Sequence, residues 1–249
     1  MKKPQICILQ TDGTNCHEET AYAFTLAGGE PHIVHVNALR EGRDHLTNYQ
    51  ILALAGGFSY GDDVASGKVL AVELISFLGD QLQAFVEASK LVIGICNGFQ
   101  VLVQTGLLPF RRLGDMRVTL AHNDSGHFQC EWVNLMPVPN GPCVFTRDFY
   151  DRFTLQMAHG EGRFLTDDST LMELRRGGLV PLEYFSPNPN GSMDHVAGLC
   201  DPSGRIFGLM PHPERFVHAY QHPNWRRSDA PKPKGLHIFE NAVKEAALL

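Results

Sequence analysis

Leu91-Val-Ile-Gly94-Ile-Cys96-Asn97-Gly98-Phe-Gln100-Val-Leu-Val103 joins an unbroken apolar run to a helical pattern through a cysteine with a glycine two residues away on either side. Continuous rather than alternating apolarity describes a strand covered on both faces, which belongs to a parallel sheet in an α/β protein. The two glycines permit a tight, strained turn that projects the cysteine into a cleft, the composition of a nucleophile elbow. A helix opening directly after Cys96 adds unpaired N–H groups and the positive end of its dipole, both favouring negative charge on the sulfur. Taken alone, the stretch is also compatible with an inert buried cysteine at a strand end.

Outward from this unit, the same rhythm recurs towards the N-terminus. Residues 5–10 are apolar, the turn formers Thr11-Asp-Gly-Thr-Asn15 follow, and a helical pattern over 17–27 ends at Gly28-Gly29. Further apolar runs cover 32–36 and 50–55, with helical segments between them. After Pro109 the pattern changes to strand-like runs at 117–120, 128–135, 179–185, 195–200 and 205–210, separated by short turns. Asp201-Pro-Ser-Gly204 reads as a hairpin turn, which makes 195–210 one two-stranded unit. A final helix is expected over 235–249. The expected fold class is α/β: a central, mostly parallel sheet with helices on both faces, plus antiparallel strands in the C-terminal half. No linker or repeat divides residues 1–249, and one core suffices for this length, so a single domain is expected.

Composition narrows the function. With 43% hydrophobic and 19% charged residues the chain has the make-up of a globular protein, not of a disordered one. A net charge of -6 with no basic stripe argues against nucleic acid as a partner. No uninterrupted apolar run reaches the roughly 18 residues of a bilayer span, and the N-terminus leads into a strand rather than a signal sequence, so no membrane is expected and the location is read as cytoplasmic. Cys7, Cys16, Cys96, Cys130, Cys143 and Cys200 are scattered without metal-type spacing, which fits a reduced compartment and no metal.

Far along the chain, Met210-Pro-His212-Pro-Glu214-Arg215 places an imidazole and a carboxylate two residues apart, between prolines that keep the backbone extended. Residues i and i+2 then share a side, so Glu214 can hold one ring nitrogen of His212 while the other faces a thiol. Alone, the segment would pass for a surface turn; beside a cysteine elbow it completes a Cys96-His212-Glu214 triad. Ala55-Gly56-Gly57-Phe58-Ser59-Tyr60-Gly61-Asp62 follows the third strand and can present backbone N–H groups to an oxyanion. Gly57 and Asn97 are the expected donors, although a Gly-Gly pair after a strand is more often a plain turn.

These motifs resemble those of the class I (triad) glutamine amidotransferases. With Gly56-Gly-Phe-Ser-Tyr-Gly-Asp62, Asn123-Asp-Ser-Gly-His-Phe128 and Ala158-His-Gly-Glu-Gly-Arg163, the chain is similar to the purine-pathway members of that family, the glutaminase subunits of phosphoribosylformylglycinamidine synthase. The resemblance runs from about residue 5 to 243. It implies that Cys96 is the nucleophile, His212 the base, Glu214 its orienting partner and Gln100 a contact to the substrate glutamine. It also implies a large synthase subunit that uses the released ammonia with ATP and Mg, and a small bridging subunit. No cofactor is expected in this chain, which has no G-x-x-x-x-G-K-[ST] loop. Two stretches depart from the family's pattern: the polar run Asp62-Asp-Val-Ala-Ser-Gly-Lys68, and Glu131 where a basic residue is expected. Both fall outside the triad and bear on partner docking. The loop 222–234 is longer than the pattern requires.

Rival readings are a glutaminase serving another synthetase, against which the 56–62 and 158–163 motifs argue, and a scaffold that has lost the reaction, against which the complete triad argues. A metal-binding module would use His218 with His222, or His122 with His127, but neither pair has a third ligand nearby in sequence.

Overall fold

The computed structural model describes residues 3–249. In chain order the strands and helices are β1 (Gln5–Gln10), α1 (His17–Leu26), β2 (Glu30–His35), α2 (Val36–Arg40), β3 (Ile51–Leu54), α3 (Lys68–Glu87), β4 (Leu91–Ile95), α4 (Asn97–Thr105), β5 (Thr119–His122), β6 (Gln129–Pro137), β7 (Phe153–His159), β8 (Glu161–Leu165), α5 (Asp168–Arg176), β9 (Leu182–Tyr184), β10 (Val196–Cys200), β11 (Ile206–Leu209) and α6 (Gly235–Ala246).

Nine strands form one sheet in the order β2-β1-β3-β4-β11-β10-β9-β6-β7, and β5 pairs with β8 separately. The first five are mutually parallel, and the remaining neighbours are antiparallel. The order reverses direction at β1 and β3. Right-handed crossovers that leave in opposite directions must place their helices on opposite faces, and α1 accordingly packs with α6 while α3 packs with α4. Successive residues of β1, β3 and β4 are buried, so both faces of these strands are covered, as continuous apolar strands require.

Single contacts fix the helix positions. Phe24 of α1 meets Phe239 of α6 edge to face with ring centroids 4.9 Å apart. On the opposite side Phe99 of α4 lies over Gly208 of β11, where an added Cβ would come within 2.1 Å of the ring. The 195–210 unit is the β10–β11 hairpin anticipated above, with Leu199 opposite Gly208. Its second strand then inserts beside β4 in parallel, with Gly208 opposite Gly94.

Three elements were not legible as such. The strands β7 and β8 alternate buried and half-buried residues, the period of a strand covered on one face, which a search for continuous apolar runs passes over, and α5 buries only Thr170 and Leu174. Its start is instead marked by Asp167, whose carboxylate accepts from the Thr170 N–H. The bilayer criterion needs correction as well. By length and composition α3 is apolar enough to cross a membrane, with a mean hydropathy of 1.5. Counting uninterrupted apolar residues missed it because Glu73 and Asp80 break the run. In the fold, α3 turns Leu70, Leu74, Leu78, Leu82 and Phe85 into the core.

Candidate active site

The loops that follow β1, β3 and β4 meet at the carboxyl ends of the parallel strands, beside the point where strand order reverses, the place where open α/β sheets bind ligands. Thr14 bridges Gly57, and the N–H groups of Asn15 and Cys16 both donate to the Gly56 carbonyl. The β1 and β3 loops are therefore one unit, set against the elbow after β4.

Cys96 occupies a left-handed conformation with φ 51° and ψ -105°, which a non-glycine residue adopts only under constraint. Its N–H donates to the Leu209 carbonyl at 2.8 Å and its carbonyl accepts from the Gln100 N–H. The flanking glycines are demanded by space. A Cβ on Gly98 would lie 1.9 Å from the Leu54 carbonyl oxygen, and one on Gly94 would lie 2.5 Å from the Gly98 oxygen. The anticipated elbow is thus a close crossing of three backbone segments.

His212 and Glu214 arrive from the end of β11. The His212 N–H donates to the Gln156 carbonyl at 2.7 Å, so β7 folds over to bridge the His-Pro-Glu segment. Nδ1 of His212 lies 2.5 Å from Oε1 of Glu214, and Nε2 has no hydrogen-bond partner although it is buried. Burial pushes the His212 imidazole down, but the adjacent Glu214 carboxylate and then the Cys96 sulfur outweigh it and hold it well above the ordinary histidine range. Gly56 leaves room for the ring, since a Cβ there would stand 2.8 Å from Cε1.

Cys96, His212 and Gly57 line a cavity of about 210 Å³ whose walls include Phe58, Phe128 and Arg215. A larger hollow of about 380 Å³ lies at the opposite ends of the strands, near Pro4, Asn48 and Ala246, where Lys3 is the only ionisable side chain in its lining. The smaller cavity is the one with chemistry. Among the described residues, neither the Gly57 nor the Asn97 N–H has a hydrogen-bond acceptor, so both are free to serve a ligand oxygen.

An elbow cysteine, a carboxylate-held imidazole and the spare Gly57 N–H meet at one small cavity, with the spare Asn97 N–H next to the cysteine but outside the cavity lining; such parts can serve acyl transfer. Residues 3–244 match the family described as the CobB/CobQ-like glutamine amidotransferase domain. The chain belongs to the glutamine amidotransferase family. It is 46% identical to a protein of Dehalococcoides mccartyi named phosphoribosylformylglycinamidine synthase subunit PurQ, with 99% of each chain covered. A protein of the same name from Methanococcus maripaludis is 38% identical, with 97% of each covered. Among solved structures, a chain from "Structure of PurLQS from Thermotoga maritima" is 33% identical, with a TM-score of 0.79 over 98% of this chain and 99% of that one.

Two features of this amidotransferase differ from the sequence reading. Gln100 is not among the residues lining the cavity: it lies behind the elbow, where its Nε2 donates to the Glu161 carbonyl and its Oε1 accepts from Asn97. Cys16 drew no attention as a scattered cysteine, yet its sulfur accepts from Arg215 Nη2 at 3.2 Å and lies within 4.8 Å of ligand atoms of His212 and Glu214. The Arg215 guanidinium against that sulfur opposes a further cation at this trio. The His218–His222 pair considered as ligands is engaged otherwise: His218 contacts the Tyr22 hydroxyl, and His222 packs its ring on Trp132 at 4.4 Å.

Behind the site, Asn123 holds His159. The Asn123 amide donates to the His127 and His159 carbonyls, and its oxygen faces His159 Nδ1 at 3.0 Å. Burial, reinforced by the charge of His212, pushes the His159 imidazole down to about 3. The Ala158 carbonyl meanwhile stands 3.7 Å from Cys96 Sγ, so the 123–128 and 158–163 motifs act together at the cavity wall.

Proposed function

We propose that this chain is the glutaminase subunit of a phosphoribosylformylglycinamidine synthase and hydrolyses glutamine through Cys96, His212 and Glu214. The observation that carries this reading is the meeting of the strained Cys96 elbow and the Glu214-held His212 at one cavity, in a chain similar to such subunits over nearly its whole length.

In this reaction His212 takes the Cys96 proton and the sulfur attacks the side-chain amide carbon of glutamine. Gly57 and Asn97 N–H groups hold the resulting oxyanion. Collapse breaks the carbon–nitrogen bond as His212 protonates the departing ammonia, leaving a glutamyl thioester. Water then attacks the thioester, giving its proton to His212 and afterwards to the released thiol, and glutamate leaves. Glu214 keeps Nδ1 protonated so that Nε2 does the transfer. Gln100 acts by positioning Asn97.

The relatives' names speak of a synthase subunit, and the neighbouring structure is an assembly titled PurLQS. Here the ammonia passes to a large subunit that carries ATP and Mg, with a small subunit bridging the two, and the reaction belongs to the cytoplasm, where the six free cysteines stay reduced.

An electrophilic glutamine analogue followed by peptide mapping tests the assignment. One adduct on Cys96, formed faster when the synthase subunit is added, is the expected result; no adduct in either condition overturns it.

A further inference from the structure

The loop between β3 and α3 combines strain with an unusually complete set of restraints. Tyr60, Asp62 and Val64 all have positive φ, at 53°, 56° and 72°, within five residues. Each such residue costs on the order of 1 kcal/mol or more, so contacts outside the loop must impose its path. Four such contacts hold it: the Tyr60 N–H donates to the Asp12 carbonyl, the Ser66 N–H donates to Glu161, and the Asn97 side chain accepts from the Ser59 N–H at 3.3 Å and donates to Asp62 Oδ1 at 2.9 Å.

Asn97 is buried beside Cys96 and its amide is fully used. Its oxygen takes the Ser59 N–H, while its two amide hydrogens go to Asp62 and to Gln100 Oε1. If the amide were turned over, its oxygen would face the Asp62 carboxylate and its NH₂ would face the Ser59 N–H, two repulsive contacts. Asp62, together with the Ser59 N–H and Gln100 Oε1, therefore decides which way Asn97 points. The Ser59 N–H lies two residues beyond Gly57, so the orientation of one amide fixes both spare N–H donors relative to each other.

Resting on the glutaminase reading, we propose that Asp62 is a positioning residue for acyl transfer: by accepting from the Asn97 side chain it locks the strained loop 58–67 to the start of α4 and holds the Gly57 and Asn97 N–H groups on one oxyanion.

The test separates oxyanion formation from thiol reactivity in the full-length chain with its synthase subunit. Glycine adopts the Asp62 backbone angle freely, so Asp62→Gly removes the carboxylate, with its contacts to Asn97, Ser66 and the Gly67 N–H, without adding backbone strain; Asp62→Asn keeps an acceptor oxygen. Alkylation of Cys96 by iodoacetamide forms a carbon–sulfur bond and expels iodide without any oxyanion. In Asp62→Gly, kcat for glutamine is expected to fall about 10- to 100-fold, the scale of a misaligned donor. KM should stay within about threefold and the iodoacetamide rate within about twofold, whereas Asp62→Asn recovers most of kcat. An undiminished kcat in Asp62→Gly, or a parallel fall in alkylation, overturns the proposal. So does an Asp62→Asn variant as impaired as Asp62→Gly. Glutamine turnover that survives Cys96→Ala would instead overturn Cys96 as the nucleophile, the part of the glutaminase reading on which the proposal rests.

Discussion

Cys96 and His212 face the same cavity but are held there by opposite means. The cysteine is placed by its own neighbourhood: a left-handed backbone, two glycines without room for a side chain, and the first turn of α4. The histidine has no such local frame. Apart from Glu214 two residues on, its position comes from Gln156 on β7 and from β11 lying beside β4, contacts that join distant parts of the chain. A locally built residue should tolerate distant change and fail on a single added methyl group; a residue held from afar should respond to its partners.

The largest effect should come from removing the reacting atom. Cys96→Ala is expected to lower glutamine turnover by on the order of 10⁴-fold or more, with melting temperature and ammonia-supported synthesis by the partner subunit unchanged. On the other side of the comparison, Glu214→Gln should cut kcat by roughly 10³-fold. Because the carboxylate raises His212, its loss should also move the limb of the pH–rate profile that reports His212 to lower pH. An unshifted limb would mean that Glu214 does not govern the imidazole.

Gly98→Ala probes the local frame. Its Cβ would fall 1.9 Å from the Leu54 oxygen, so β3 and α4 must part, at a cost of about 3 kcal/mol read in chemical denaturation. A variant as stable as the parent would show that the elbow is looser than its geometry implies.

The smallest effect concerns His159, which the site uses only as support. Its imidazole is pushed down to about 3 in the fold, against about 6.5 in the unfolded chain, so acid protonates the unfolded state first. Stability is therefore complete above pH ~6.5 and drains away as pH falls towards ~3. Between pH 7 and pH 5 His159→Gln should lose about 2 kcal/mol less than the parent protein, measured by urea unfolding at each pH.

What could be read without the structure follows the same division. The elbow, the parallel half of the sheet and the β10–β11 hairpin rest on local chemistry: apolar runs, glycines beside a cysteine, and turn formers between strands. The identity of His212 and Glu214 as a pair was also legible from their spacing, although the backbone expected to stay extended between the prolines instead turns into a single 3-10 turn over Pro213–Arg215, with Pro213 at its first position. The sequence by itself therefore determined which residues could react and what kind of sheet would carry them. Only the tertiary structure decided that β11 inserts beside β4 and that β7 bridges His212. It likewise decided that Cys16 meets Arg215, that Gln100 serves Asn97 behind the elbow, and that Asp62 orients the same amide. Such contacts join residues far apart in the chain, and neither hydrophobic period nor motif spacing encodes which distant partner fills a given space; that choice is made when the layers pack.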